Sequence, residues 1–70
     1  MKFDLEGHEF IALNALLKMV QLAESGGQAN LFITEGEVLV NGEVETAKRK
    51  KIRAGDTVEI FGETVEVFQS

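Results

Sequence analysis

The hydrophobic pattern changes its period at Gly36, and this change limits the possible folds more than any other feature of the sequence. Before Gly36, apolar residues return at spacings of three and four, which is typical of helices packed on one face. After Gly36, apolar and polar residues alternate, as they do in half-buried strands. The chain has 70 residues and no cysteine. We therefore predict a single small domain, residues 1–70, held together by an apolar core without disulfides.

Two short helices are predicted before the change of period. Asn14 is expected to cap the first helix, which runs through "ALLKMVQLAE" and ends at Gly26-Gly27. The pattern Ser25-x-x-Gln28 is a capping box that would begin a second helix running to about Glu35. The residues predicted to face the core are Leu13, Leu16, Leu17, Val20 and Ala23 in the first helix, and Ala29, Phe32 and Ile33 in the second.

The rest of the chain reads as strands joined by tight turns. Asn41-Gly42 predicts a type I′ hairpin, and Gly62-Glu63 a type II′ hairpin between "TVEIF" and "TVEVF". The N-terminal segment "KFDLEGHEFIAL" is predicted to be extended, with a turn at Gly7-His8 that could make it a hairpin. The predicted fold class is α+β, with two short helices packed on a small, mostly antiparallel sheet.

Positive charge is concentrated in one short segment. The formal net charge is −5, yet five of the seven Lys and Arg residues lie in "AKRKKIR", Ala47–Arg53, which we call the basic run. Electrostatic screening acts over ~8 Å at physiological salt, so distant carboxylates weaken such a patch very little. The basic run could be a solvated connector whose charge only keeps the domain soluble, but the segregation of charge favours an anion-binding surface.

Several function classes find no support in the sequence. The chain lacks a signal-peptide pattern and any long apolar stretch, so we expect a cytoplasmic protein that does not enter membranes. There is no cysteine nucleophile, no serine beside a plausible base, and a single histidine, His8. Enzymatic activity, a metal site and a cofactor are therefore not expected.

The order of these signals resembles a known family. "SGGQA", "VNGEVE", "KRKKI" and "AGDTVEI" are similar to the alpha-L RNA-binding motif, the small domain also found in a ribosomal protein of the S4 type. The resemblance spans roughly Leu13 to Ile60 and is strongest to the stand-alone YbcJ-like bacterial branch. It implies binding of structured RNA, such as ribosomal RNA, tRNA or a hairpin, and ribosome-associated proteins as further partners.

The resemblance also implies which residues contact RNA. The family uses the exposed face of its helix pair and the adjoining part of the sheet, and it commonly has Lys or Arg where this chain has Asn30. The residues carried over are Lys18, Ser25, Gly26, Gly27, Gln28, Asn30, Asn41, Gly42, Lys48, Arg49, Lys50, Lys51 and Arg53. Of these, Lys18 and Asn30 are expected to face solvent.

Other interpretations of these residues stay open at this stage. Ser25–Gln28 can be helix punctuation, and Asn41-Gly42 can serve only as a turn. Phe61 and Phe68 could be exposed for base stacking. The alternative function is a protein-interaction adaptor that docks a basic partner through Glu43, Glu45, Glu59 and Glu66. A sulfur carrier of the beta-grasp type is disfavoured, because such carriers end in Gly-Gly and this chain ends in "VFQS".

Overall fold

The computed structural model describes residues 1–70 and contains two helices and seven short strands. In chain order they are β1 (Lys2–Asp4), β2 (Ile11–Ala12), α1 (Leu13–Met19), α2 (Gly26–Thr34), β3 (Val38–Val40), β4 (Glu43–Val44), β5 (Lys51–Ile52), β6 (Thr57–Ile60) and β7 (Glu63–Phe68). The helices precede the main hairpins, as the change of period at Gly36 predicts, and the α+β class is confirmed.

The sheet is mostly antiparallel, but the N-terminal strand joins it in a different way from the one predicted. Its five strands have the order β1-β7-β6-β3-β4, and only β1 and β7 are parallel. A separate two-stranded sheet pairs β2 with β5. The prediction of an N-terminal hairpin is therefore wrong. The chain turns between β1 and β2 at Glu6 and Gly7, which have positive φ, and the two strands do not pair with each other. The six-residue β7 offers β1 a free edge for backbone pairing, which a two-residue β2 does not.

The β3–β4 and β6–β7 hairpins each close with two residues in the left-handed backbone conformation. Asn41 (φ 53°) and Gly42 (φ 85°) confirm the predicted type I′ geometry. The second hairpin was predicted as a type II′ turn at Gly62-Glu63, but Ile60 pairs with Glu63, and the turn residues are Phe61 (φ 50°) and Gly62 (φ 81°). Positive φ at both positions indicates type I′ here too, so both the position and the type predicted were wrong. A left-handed Phe is unfavourable. The Phe61 ring makes an edge-to-face contact with the Phe32 ring, with the two centroids 5.1 Å apart. This contact offsets part of the cost of the left-handed backbone.

Helix α1 is shorter than predicted and is not capped by Asn14. It has seven residues, and Ala12 is its N-cap. The N–H of Leu13 donates to the Lys50 carbonyl at 2.8 Å, and the N–H of Asn14 donates to the Lys48 carbonyl at 3.0 Å. Carbonyl groups of a distant segment thus replace a capping side chain at the start of α1. The Asn14 side chain instead accepts from the N–H of Ala15 within the first turn.

The C-terminus of α1 is a Schellman motif that contains no glycine. Gln21 adopts φ 63°, and the N–H of Leu22 donates to the Leu17 carbonyl at 3.0 Å. Ala23 is buried although it lies beyond the helix. The apolar spacing therefore continues past the true end of the helix, which explains why periodicity predicted a helix reaching Gly26.

The core lies between the helix pair and the main sheet and is entirely apolar. Its 14 residues are Leu5, Leu13, Leu16, Leu17, Ala23, Ala29, Ile33, Val38, Val40, Ile52, Val58, Ile60, Val65 and Val67. Val20 and Phe32, both predicted to be inward, pack against it while half-buried. No buried side-chain polar atom lacks a hydrogen-bond partner. Neither helix has the length and apolar character that crossing a membrane would need.

Candidate nucleic-acid interface

The start of α2 combines a side-chain cap with two free backbone donors. Ser25 Oγ accepts from the N–H of Gln28 at 3.1 Å, as the capping box predicts. The reciprocal bond differs: Gln28 Oε1 accepts from the N–H of Glu24, at 2.6 Å, and not from that of Ser25. The N–H groups of Gly26 and Gly27 have no partner within the protein. With the partial positive charge of a helix N-terminus, they can receive an anion.

The two glycines are not required by packing. A Cβ atom at Gly26 would meet nothing within 4 Å, and one at Gly27 would meet only Ser25 Oγ, at 3.9 Å. Neither glycine has positive φ. Neither packing nor backbone conformation therefore demands glycine at these positions, and the fold leaves open space around both residues.

The basic run is held in place by its backbone, while its charged side chains are exposed. The Lys48 and Lys50 carbonyls accept from the first N–H groups of α1, and the N–H of Lys50 donates to Ala47 O at 3.2 Å, which closes a turn. The side chains that these contacts leave exposed are those of Lys48, Arg49, Lys50, Lys51 and Arg53. The basic run is thus a fixed, positively charged edge at the start of α1.

Two of these cations lie over an aromatic ring that the sequence analysis did not single out. Ile52 points into the core, so its neighbours Lys51 and Arg53 project to the opposite side of β5. Lys51 Nζ lies 4.9 Å and Arg53 Cζ 5.5 Å from the centre of the Phe10 ring. Such cation–π contacts stabilise both side chains in an exposed position. Only the antiparallel pairing of β2 with β5 brings Phe10 to this edge, and no local pattern indicates it.

The helix pair joins this edge through two asparagines. Asn14 Nδ2 donates to Asn30 Oδ1 at 2.9 Å, linking α1 to α2. Asn30 is therefore half-buried, which corrects the expectation that it faces solvent freely. Lys18 lies one turn after Asn14 on α1 and is exposed, as predicted. A continuous path of contacts runs from α2 through Asn30 and Asn14 to the basic run.

The β3–β4 hairpin borders the same edge. The side chain of Asn41 donates to Asp56 Oδ1 at 3.0 Å and accepts from the N–H of Thr57 at 2.9 Å. Both ends of its amide are thus used inside the protein, whereas Gly42 at the tip is exposed and free of neighbours. A shallow cleft of about 240 Å³ includes Asn41, Glu43 and Lys50 in its lining, so the hairpin and the basic run are adjacent.

The carboxylates considered for an adaptor do not form one surface. Glu59 and Glu66 alternate with buried valines and isoleucine, and both point away from the core. Glu43 pairs with Val40 and so belongs to the opposite face of the sheet. Glu45 accepts from the N–H of Ala47 at 3.1 Å, which leads the chain into the basic run.

Comparison with known proteins adds to this geometry. The family model described as "S4 domain" matches residues 3–68. The Escherichia coli K12 protein named "Putative RNA-binding protein YbcJ" is 49% identical over 65 residues, which make up 93% of each chain. The Bacillus subtilis protein named "Probable ribosome maturation protein RlbA" is 44% identical over 54 residues, 77% of this chain and 76% of that relative.

A solved structure has the same fold. The solution structure of Escherichia coli YbcJ, described as revealing an alpha-L motif involved in RNA binding, superposes with a TM-score of 0.74. The two chains are 48% identical, and the match covers 96% of this chain and 85% of that one. The shared fold therefore extends over nearly the whole of this chain.

Proposed function

Since the chain belongs to the S4 domain family, we propose that it is a small RNA-binding module that holds structured RNA along the basic run. The relative named "Putative RNA-binding protein YbcJ" and the similarity to the alpha-L motif in its structure support this function. One observation carries the proposal. All five cations of the basic run are exposed, and the backbone of the run is hydrogen-bonded to the start of α1. A row of cations on a hydrogen-bonded backbone can meet successive phosphates, and the backbone loses little conformational freedom on binding.

The other predicted residues extend this interface. Lys18 continues the positive edge along α1, and the free N–H groups of Gly26 and Gly27 receive a second phosphate. Gly42 lets the RNA approach the hairpin tip, whereas Asn41 acts mainly through the turn it stabilises. Asn30 supports the interface by fixing α1 against α2 through Asn14. Such contacts read the shape and backbone of RNA more than its base sequence.

The partner and setting follow from the same reasoning. A relative named for ribosome maturation makes ribosomal RNA the first target to test, with tRNA next and ribosome-associated proteins as further partners. Binding by backbone contacts needs neither cofactor nor catalytic group, so we propose a non-enzymatic role. Ribosomal RNA as the target would place that role in the cytoplasm.

The test is a titration of a structured ribosomal RNA fragment at several salt concentrations. We expect the logarithm of the affinity to fall with the logarithm of salt concentration at a slope of about −3 to −4, for about four neutralised phosphates. A variant with Lys48, Arg49, Lys50 and Lys51 changed to alanine should lose most of the affinity and most of this slope. Its fold should persist, because the run is attached by backbone atoms that alanine keeps.

Single substitutions supply a matched control. Lys50→Ala in the basic run should reduce the salt slope by about 1, whereas Lys2→Ala on β1 should leave it unchanged. Both lysines are exposed, and each variant removes one positive charge. Equal affinities for the wild type and the quadruple variant would contradict the proposal.

A further inference from the structure

An apolar hollow adjoins the basic run on the side of β1 and α1. It has a volume of about 390 Å³, and six of its nine lining residues are hydrophobic, among them Phe3, Phe10 and Met19. Phe10 is 38% exposed and Met19 is 64% exposed. Large apolar side chains exposed around one concavity mark a candidate ligand-binding surface, because covering them with a ligand lowers the free energy.

Phe10 belongs both to this hollow and to the positive edge. Its ring forms part of the apolar wall and also lies beneath Lys51 and Arg53. A ligand in the hollow would therefore place its apolar part on Phe10 and any attached anionic group beside these two cations. A nucleotide has this combination, since a flat base and a phosphate are joined through one sugar.

The lining of the hollow also includes groups that accept hydrogen bonds. Asp4 and Glu6 line the hollow, and hydrogen bonds from the N–H of Glu6 and then from Ser70 lower the pKa of the Asp4 carboxyl. A carboxylate in this lining can accept from the amino and imino N–H groups at the edge of a base. It would repel an anion and would gain nothing from an aliphatic chain. Together these groups favour a base whose N–H edge meets the Asp4 carboxylate and whose phosphate lies beside Lys51.

From these observations we infer that the hollow receives one unstacked nucleobase of the bound RNA, with its phosphate held by Lys51 and Arg53. This inference rests on the proposed function and adds a contact with a base to an interface otherwise made of phosphate contacts. Stacking of a single base on an aromatic side chain contributes at least about a fivefold gain in affinity.

The experiment compares two hairpin RNAs of identical stem, one with a single unpaired guanosine and the other with an abasic ribose at the same position. Affinities are measured by fluorescence anisotropy at one salt concentration. The wild type should bind the guanosine RNA at least about fivefold more tightly. Phe10→Ala should remove this ratio. Ala15→Leu should also remove it, because Ala15 lines the hollow and is exposed on α1, so a larger side chain there occupies space that the base would need, while Phe10, Lys51 and Arg53 are all retained.

A matched control and a spectroscopic readout make the result specific. Leu31→Ala removes an apolar side chain that is 52% exposed but lies outside the hollow, so the ratio should stay at its wild-type value. The methyl resonances of Met19 and Ala15 should shift with the guanosine RNA and remain unchanged with the abasic RNA. Equal binding of both RNAs by the wild type would overturn the base-binding hollow and leave the proposed function standing. Failure to bind either RNA would overturn both, and a wild-type ratio retained in Phe10→Ala and Ala15→Leu would assign the base to another site.

Discussion

Replacing both Gly26 and Gly27 by alanine should strengthen the fold and weaken RNA binding. A glycine within a helix costs ~0.8–1.0 kcal/mol relative to alanine, and the effect is smaller in the first turn. The space around both positions is open, and neither residue has positive φ. We therefore expect a total gain of about 1 kcal/mol, which for a domain of this size raises Tm by about 4–8 °C.

The same substitutions should hinder the approach of a phosphate. Helical Cβ atoms lean toward the N-terminus, so two added methyl groups would stand in front of the free N–H groups at the start of α2. Loss of one charge-assisted hydrogen bond corresponds to about a tenfold loss of affinity. The salt slope should be unchanged, because the substitution removes no cation. This last expectation separates the helix start from the basic run, where loss of affinity and loss of slope go together.

Two assays measure the two effects on the same protein. The chain has no Trp or Tyr, so urea unfolding is followed by far-UV circular dichroism. RNA affinity is measured by anisotropy at several salt concentrations. A fall in stability would contradict the first expectation and show that the local fold requires the glycines. An unchanged RNA affinity would show that no phosphate binds at the start of α2.

Three further predictions concern the fold itself. Asn41→Ala should destabilise the protein by about 2 kcal/mol, through two lost hydrogen bonds and a left-handed backbone that alanine disfavours, and Asn41→Gly should cost less because glycine accepts that backbone; equal losses in urea unfolding would contradict this. Gln21→Gly should stabilise the end of α1 by about 1 kcal/mol, read as a rise in Tm, since Gln21 has φ 63°. The lowered pKa of Asp4 means that its contribution to stability is present above the unfolded pKa of about 3.9 and is lost as the pH falls through the lower folded value. Unfolding curves of the wild type and Asp4→Asn should therefore differ by a constant amount above about pH 5 and converge in more acidic buffer.

The sequence predicted the fold where local chemistry was sufficient to specify it. The turn at Asn41-Gly42 requires two residues that tolerate positive φ, and the Ser25 cap needs only its own first turn. The helix pair, the mostly antiparallel sheet and membership of the family were predicted correctly from such signals in combination. Errors arose where the backbone was satisfied from a distance: the start of α1 uses carbonyls of the basic run, and the N-terminal strand uses the edge of β7.

The same division holds for the candidate site. The charge of the basic run is a property of the sequence, because five cations within seven residues remain close in any conformation. The arrangement of these cations around Phe10 is not a property of the sequence. The pairing of β2 with β5 places Phe10 beneath Lys51 and Arg53. Asn30 was expected to be free and is instead bonded to Asn14 on the other helix.

The sequence by itself determined the two helices, the two main hairpins and their order, because the hydrophobic period, the Ser25 cap and the turn residues act over a few neighbours. It also determined that positive charge would be local. Only the tertiary structure decided where α1 begins and ends, which edge β1 joins, and that an apolar hollow opens beside the positive edge. These features depend on contacts between residues distant in the chain, and such contacts are selected by the burial of the whole core and not by any local pattern.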